Sequence, residues 1–99
     1  MFVVTVTYVA PLESIDALLP AHVAFLEEHF AAGMFLAAGR QVPRTGGVIL
    51  AQAESREALD AVLEQDPFKQ AGAATYAVTD FCPVRVAPGL ESLREVNRS

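Results

Sequence analysis

The first residues of the chain alternate between two sets of side chains with a period of two. One set comprises Phe2, Val4, Val6 and Tyr8, and the other comprises Val3, Thr5, Thr7 and Val9. Apolar and β-branched residues with this period are typical of a strand with one fully buried face. We therefore predict a first strand that Pro11 closes.

The apolar positions after Pro11 follow the spacing of a helix. The stripe includes two histidines and comprises Ile15, Leu18, Leu19, His22, Phe25, Leu26, His29 and Phe30. A proline inside a helix costs about 3 kcal/mol but fits the first turn. Pro20 therefore predicts a short turn over 12–18 and a main helix over about 19–32, with His22 in its first turn. Gly33 supplies the left-handed stop.

The central part of the chain predicts a hairpin of two strands, over 34–41 and 48–53. The connection over 42–47 contains Pro43 and the pair Gly46 and Gly47. These residues suit a turn of moderate length.

A helix, one further turn and a last strand complete the pattern. Ser55 caps the second helix. Asp66 as an N-cap, followed by Pro67 at the first helical position, predicts one more turn, which Gly72 stops. The fourth strand runs over 75–86, and the prolines near its far end place that end at an edge or outside the sheet.

The resulting order, β-α-β-β-α-β, is the split βαβ arrangement of ferredoxin-like folds. It predicts an α+β protein with one four-stranded antiparallel sheet and two helices on one face. Because the first strand is apolar on both faces, we expect a second copy to cover the open face in a two-fold homodimer.

The chain predicts one domain over 1–88 and a tail over 89–99. A length of 99 residues with 53% hydrophobic content fits a single globular unit. The tail carries Leu90, Leu93 and Val96 at helical spacing. It is too short to form a stable helix alone, so we expect it to dock on a partner subunit.

Charge and cysteine content exclude several classes of protein. The net charge of -5, without a Lys/Arg cluster, disfavours nucleic acid and anionic lipid as partners. Cys82 is the single cysteine, so no internal disulfide forms. No apolar run reaches the roughly 20 residues that a bilayer crossing needs. The first residues lack the features of a secretion signal, so we expect a cytoplasmic protein.

Connectivity brings several polar side chains to one end of the predicted sheet. The start of the main helix, the hairpin and the link after the second helix all lie at that end. These segments hold His22, Arg40, Arg44 and Asp66. His29 lies roughly 10 Å further along the helix. We therefore expect only His22 to meet Asp66.

A neutral histidine oriented by a carboxylate is the usual general base at neutral pH. This chemistry makes His22 the candidate acid or base and Asp66 the residue that orients its ring. A helix N-terminus would help to keep His22 neutral, whereas Asp66 would act the other way. Each residue also has a structural interpretation, as a core histidine and as a helix N-cap, and both are compatible with the functional one.

The hairpin offers further candidates for substrate binding. Arg40 and Arg44 can bind a carboxylate bidentately, or they can simply be solvated. Gly39 marks a close approach of the backbone to a ligand or to the neighbouring strand. No metal-ligand spacing, phosphate-binding loop or nucleophile motif is present, so no cofactor or metal is expected. Cys82 has no predictable histidine partner, which disfavours a catalytic thiol.

Four segments together resemble the YciI-like, or YCII-related, family. They are PAHVAFL (20–26), FLAAG (35–39), GVILA (47–51) and Asp66-Pro67-Phe68 followed by Gly72. The resemblance covers about residues 2–86 and implies a dimeric α+β barrel. It also implies a His-Asp active site, which falls on His22 and Asp66. Many relatives have Gly-Pro where this chain has Gly39-Arg40, so a shared substrate is not implied.

Two functions follow as hypotheses. The first is a small lyase or isomerase without a cofactor, in which His22 moves a proton on a small anionic or aromatic metabolite. The second is a non-catalytic ligand-binding or accessory module whose pocket His22 and Asp66 line. A purely structural dimerisation domain is a third interpretation.

Overall fold

The computed structural model describes residues 1–95 of the chain. Its strands are β1 (Phe2–Tyr8), β2 (Phe35–Arg40), β3 (Gly46–Ala51) and β4 (Ala74–Asp80). Its helices are α1 (Leu12–Ala31), α2 (Arg56–Leu63) and α3 (Pro67–Gln70), with one 3-10 turn at Glu91–Leu93. The predicted order of elements is therefore confirmed, with α3 as the predicted further turn.

The strands form one antiparallel sheet in the order β2-β3-β1-β4. In the centre, Val4 of β1 pairs with Ile49 of β3 and Val78 of β4. Because paired residues point to the same face, these three define the inner face, which packs against the helices. Their neighbours along each strand point to the outer face. The predicted α+β, ferredoxin-like architecture is confirmed.

The hydrophobic core lies between the inner face and the helices. Every helix contributes to it, including the four-residue α3 through Phe68. Its large side chains are Phe2, Val4, Val6, Ile15, Phe25, Phe35, Ile49, Leu59, Leu63 and Phe68. This packing gives short helices a stability that they lack alone.

Helix α1 is continuous, and the predicted break before residue 19 is wrong. Pro20 lies inside the helix and is exposed to solvent. A proline there leaves the carbonyl of Asp16 without its helical hydrogen bond. Because Asp16 is also exposed, water can bond that carbonyl. His22 is therefore ten residues past Leu12, beyond the reach of the N-terminal dipole, and the dipole argument for its neutrality fails.

The two hairpin glycines belong to β3 and not to the turn that the sequence predicted. A Cβ atom at Gly46 would lie 1.8 Å from the carbonyl oxygen of Val6. One at Gly47 would lie 2.9 Å from the carbonyl oxygen of Gly39. Both glycines therefore permit close approach of neighbouring strands. This requirement comes from the tertiary structure, although two adjacent glycines in the sequence resemble a turn.

Strand β4 ends at Asp80, six residues before the predicted end. The segment after it contains Pro83, which cannot donate to a strand ladder. The described part of the tail folds back on its own chain, because the Glu95 amide donates to the carbonyl of Pro83 at 2.9 Å. The Glu95 carboxylate lies 2.7 Å from the ammonium group of Met1. Val96, part of the predicted tail stripe, lies outside the described residues.

Candidate active site

The imidazole of His22 and the carboxylate of Asp66 are in direct contact. His22 Nδ1 lies 2.8 Å from Asp66 Oδ1, although 44 residues separate them in sequence. His22 projects from the middle of α1, and Asp66 precedes α3. The geometry therefore agrees with the expectation that His22 contacts Asp66.

Asp66 is completely buried, with 0% of its surface exposed. Its Oδ1 also accepts a hydrogen bond from the backbone N–H of Phe68 at 3.0 Å, as an N-cap does. Its Oδ2 accepts one from the hydroxyl of Tyr76 at 2.7 Å. Three donors therefore satisfy a carboxylate that would otherwise be costly to bury.

Tyr76 is a site residue that the sequence analysis missed. It pairs with Val6 in the sheet and therefore lies on the inner face of β4. Burial raises the pKa of the Tyr76 phenol well above its ordinary value, and the hydrogen bond to Asp66 acts in the same direction. Alternation along the predicted fourth strand could have placed Tyr76 on this face, but only the sheet order brings it to Asp66.

The ring of His22 contacts two aromatic side chains. It stacks on Phe68 with ring centroids 4.0 Å apart and planes 15° apart. Phe25 lies on the same helix, with its centroid 6.1 Å away. This stacking favours the observed plane of the imidazole.

The contact with Asp66 also decides which nitrogen can act on a ligand. A carboxylate accepts hydrogen bonds, so it holds the imidazole proton on Nδ1. The lone pair then lies on Nε2. Within residues 1–95, Nε2 of His22 has no hydrogen-bond partner. The arrangement therefore presents an oriented, basic nitrogen that can take up a proton.

A small pocket adjoins His22 between α1, α3 and the inner face of the sheet. Its volume is about 30 Å³, and its walls are mainly apolar. Tyr8, Leu26, Ala38, Ile49 and Phe68 line it with His22. Known ligand pockets hold roughly 300 to 1,000 Å³. A metabolite must therefore bind across the mouth of this pocket or widen it.

Arg44 and Arg40 lie at the same end of the sheet as the pocket, but neither contacts His22 or Asp66. Arg44 pairs with Asp16 of α1, and this contact raises the pKa of its guanidinium. Its Nε is buried without a hydrogen-bond partner among the described residues. Arg40 is exposed and pairs with Gly47 in the sheet.

Gly39 lies on the outer face of the sheet, opposite Val48. Ala38, the preceding residue, is the one that reaches the pocket. The backbone approach expected at Gly39 does occur, and it is with Gly47 of the neighbouring strand.

His29 occupies a separate position near the C-terminal end of α1. Its Nε2 lies 3.1 Å from the side-chain oxygen of Gln65. The ring is buried and packs against Phe25 and Phe35. His29 therefore contacts Gln65, and His22 is the histidine that contacts Asp66.

Among residues 1–95, no group of three or more His, Cys, Asp or Glu side chains is placed to hold a metal ion. In the same part of the chain, no helix has both the length and the apolar character to cross a membrane. Cys82 is a partly buried cysteine.

Comparisons with known proteins place the fold in a wider context. The family model of the YCII-related domain matches residues 1–82. A similar solved structure is 5-chloro-2-hydroxyhydroquinone dehydrochlorinase (TftG) from Burkholderia phenoliruptrix AC1100, in complex with 2,5-dihydroxybenzoquinone. Its TM-score is 0.69 at 24% identity, over 82% of this chain and 93% of that one. No curated protein gives a significant match.

Proposed function

The chain belongs to the YCII-related domain family, and we propose that it is a small enzyme that works without a cofactor. His22 is the proposed acid or base, and Asp66 orients its ring. The substrate is a small metabolite, and the reaction is a proton transfer, an isomerisation or an elimination. The observation that carries the proposal is the 2.8 Å contact between His22 Nδ1 and Asp66 Oδ1, with Nε2 left unpartnered beside a pocket.

The chemistry follows from this arrangement. Nε2 of His22 takes a proton from an acidic C–H or O–H group, and the imidazole becomes positively charged. Asp66 stabilises that charge through Nδ1. The electron pair left on the substrate shifts a double bond or expels a leaving group, and the proton on Nε2 returns to the substrate or to the departing group.

The similar structure supports the elimination class. TftG is a dehydrochlorinase, and such an enzyme removes the elements of HCl from its substrate. A base that accepts the proton is sufficient for that step, with chloride as the leaving group. An aromatic or quinonoid substrate is proposed by analogy with this dehydrochlorinase. The apolar walls of the pocket suit such a ring.

Arg44 is the proposed contact for an anionic substrate group. Its unpartnered Nε is a donor that a carboxylate or phenolate can satisfy. Arg40 lies in the same row of the sheet as Val6 and Gly47 and is the second candidate. Gly39 remains a candidate only for a group that approaches the outer face.

We further propose a cytoplasmic homodimer built on the domain over 1–88. The outer face of the sheet carries apolar side chains, among them Val3, Val48 and Leu50. Val48 is 37% exposed. A second copy packed on this face would remove that surface from water.

The alternative function is a binding module without catalysis. The structural contacts of the pair favour this alternative, because the N-cap bond of Asp66 to the Phe68 amide and the stacking of His22 on Phe68 account for both residues without catalysis. In this case His22 would donate or accept a hydrogen bond to a ligand and would not transfer a proton.

Solvent exchange separates the two functions. The protein is incubated in D2O with a panel of small carbonyl, carboxylate and phenolic compounds that includes 2,5-dihydroxybenzoquinone, and C–H signals are followed by NMR. Enzymatic proton transfer predicts faster deuterium uptake into at least one compound and its loss in His22→Ala by about 100-fold or more. Binding alone predicts shifted resonances without faster uptake.

A matched control uses the other histidine. His29→Gln changes an imidazole on the same helix that does not contact Asp66, so deuterium uptake is expected to remain close to that of the unmodified chain. Uptake that persists in His22→Ala, with that variant folded by circular dichroism, would contradict the catalytic role.

A further inference from the structure

We propose that Tyr76 is a positioning residue of the site. Its hydroxyl holds Oδ2 of Asp66, so that Oδ1 is fixed toward His22 and the negative charge on the carboxylate is shared between two partners. This inference rests on the proposed acid–base role of His22 and extends the pair to a third residue.

Tyr76 reaches Asp66 from an element different from those that carry the pair. Its position opposite Val6 directs the ring toward the helices, and 2.7 Å separates its hydroxyl from Oδ2. A hydrogen bond that short is typical of a hydroxyl donating to a charged carboxylate. The bond links β4 to the start of α3, so the carboxylate is held on both sides.

The phenol also changes what the carboxylate does to His22. A carboxylate that accepts a strong hydrogen bond from Tyr76 has less negative charge available to stabilise a protonated imidazole. Removing the hydroxyl would leave Asp66 with more charge facing Nδ1 and would make protonation of His22 easier. A base works best when its pKa is close to the working pH. Tyr76 is thus placed to set the proton affinity of His22.

Two other charged side chains lie near the Tyr76 phenol, those of Lys69 and Glu64. The Lys69 ammonium is 5.3 Å from the centroid of the Tyr76 ring and 2.9 Å from a carboxylate oxygen of Glu64. Neither of these two side chains hydrogen-bonds to Asp66. Replacing the tyrosine by phenylalanine keeps the ring under Lys69 and removes only the hydroxyl.

On the pocket side, Tyr8 of β1 lines the pocket together with His22. Arg44 of the hairpin interacts with Tyr8 and is paired to Asp16 of α1. None of them hydrogen-bonds to the imidazole. Their contribution is therefore the same with and without the Tyr76 hydroxyl.

The test is a proton titration of the two imidazoles by NMR, in the unmodified chain and in Tyr76→Phe. We expect the midpoint of His22 to rise by about half to one pH unit in Tyr76→Phe. His29 contacts Gln65 and serves as an internal reference, so its midpoint is expected to stay constant. An unchanged His22 midpoint in a folded variant would overturn the proposal.

The same titration in an Asp66→Asn background shows whether Tyr76 acts through the carboxylate. In that background, adding Tyr76→Phe is expected to leave the His22 midpoint unchanged. An equal rise with and without the carboxylate would overturn the proposal, because the phenol would then act on His22 by another route.

A second measurement keeps the Tyr76 side chain and its hydrogen bond to Asp66 in place. The chain has two tyrosines, so uniform 3-fluorotyrosine in a Tyr8→Phe chain labels Tyr76 alone. The more acidic phenol donates more strongly, and the His22 midpoint is expected to fall below that of unlabelled Tyr8→Phe. A constant midpoint would count against the inference. These titrations need no substrate, so their failure is separate from failure of the deuterium-exchange experiment.

Discussion

Asp66 is the residue on which the polar contacts of the site converge. Both carboxylate oxygens are used, and the donors come from α1, α3 and β4. These contacts give Asp66 a structural role, and the proposed function adds a chemical one. As an N-cap it begins α3, and as a hydrogen-bond acceptor it fixes the imidazole of His22.

Removing the Asp66 carboxylate is expected to destabilise the fold. Asp66→Ala leaves the Nδ1 proton of His22, the Tyr76 hydroxyl and the Phe68 amide without an acceptor, and each unpaired buried donor costs about 1 to 3 kcal/mol. We expect the free energy of unfolding to fall by at least about 2 kcal/mol in urea titrations. Asp60→Ala, which removes an exposed partner of Arg56, is expected to change it by less than about 0.5 kcal/mol. Equal effects would contradict this interpretation.

The raised pKa of Tyr76 predicts a dependence of stability on alkaline pH. A folded-state pKa above the unfolded value of 10.0 means that the protonated phenol favours the folded state. That contribution is complete below about pH 10 and is lost as the pH rises toward the folded-state pKa. Urea titrations between about pH 8 and 11 should show a smaller loss of stability in Tyr76→Phe than in the unmodified chain. Parallel curves for the two proteins would disprove this assignment.

At the scale of elements, α1 keeps an unfavourable residue in its interior. Pro20 removes one helical hydrogen bond, yet the helix runs unbroken for 20 residues. Tertiary contacts explain this continuity, since Ile15 before the proline and Phe25 after it are both buried in the same core. The core therefore fixes the path of the chain on either side of Pro20 and carries His22 to Asp66.

We expect Pro20→Ala to raise the free energy of unfolding by about 1 to 2 kcal/mol. Alanine restores the N–H that bonds the Asp16 carbonyl, and this gain is reduced by the greater freedom of the unfolded chain. Urea unfolding measures it. Pro67→Ala is the matched control, because Pro67 occupies the first position of α3, where proline is favourable. A loss of stability in Pro20→Ala would show that the ring makes contacts worth more than the hydrogen bond.

At the scale of the whole molecule, the sheet is covered by helices on one face alone within the described residues. The outer face presents Val48, Leu50 and Val3 beside threonines of β1 and β4. This combination of apolar and hydroxyl side chains is suited to packing against a partner sheet. The hydroxyl groups also allow water to hydrate the outer face of a single chain. The proposed homodimer would use this surface.

The dimer makes a direct prediction about mass. The unmodified chain has a mass of 10.6 kDa. Light scattering on its size-exclusion peak is expected to give about twice that mass. Val48→Asp places a charge on the outer face and is expected to yield the single-chain mass. Val42→Asp, at a hairpin residue that is 96% exposed, is expected to leave the dimer intact. A single-chain mass for the unmodified protein would exclude this assembly at the concentration used.

Several features of this protein could be predicted from short stretches of sequence because their causes are local. The alternation of β1 identifies a strand, and the hydroxyl of Ser55 and the carboxylate of Asp66 cap α2 and α3 as expected. The contact of His22 with Asp66 was also expected from connectivity, although the helix start used in that argument is wrong and His22 lies in the middle of α1.

Other features depend on residues that are distant in sequence, and only the tertiary structure decided them. In the sequence Gly46 resembles a turn residue, but in the fold a Cβ atom at this position would collide with the carbonyl of Val6. In the sequence Tyr76 resembles an ordinary strand residue, and only the strand order β2-β3-β1-β4 brings its hydroxyl to Asp66. Pro20 predicts a break that core packing overrides. The local conformational preference of a residue such as a helix proline or an N-cap amounts to about 1 to 3 kcal/mol. Contacts between distant segments can exceed this free energy, and the neighbouring sequence does not reveal them.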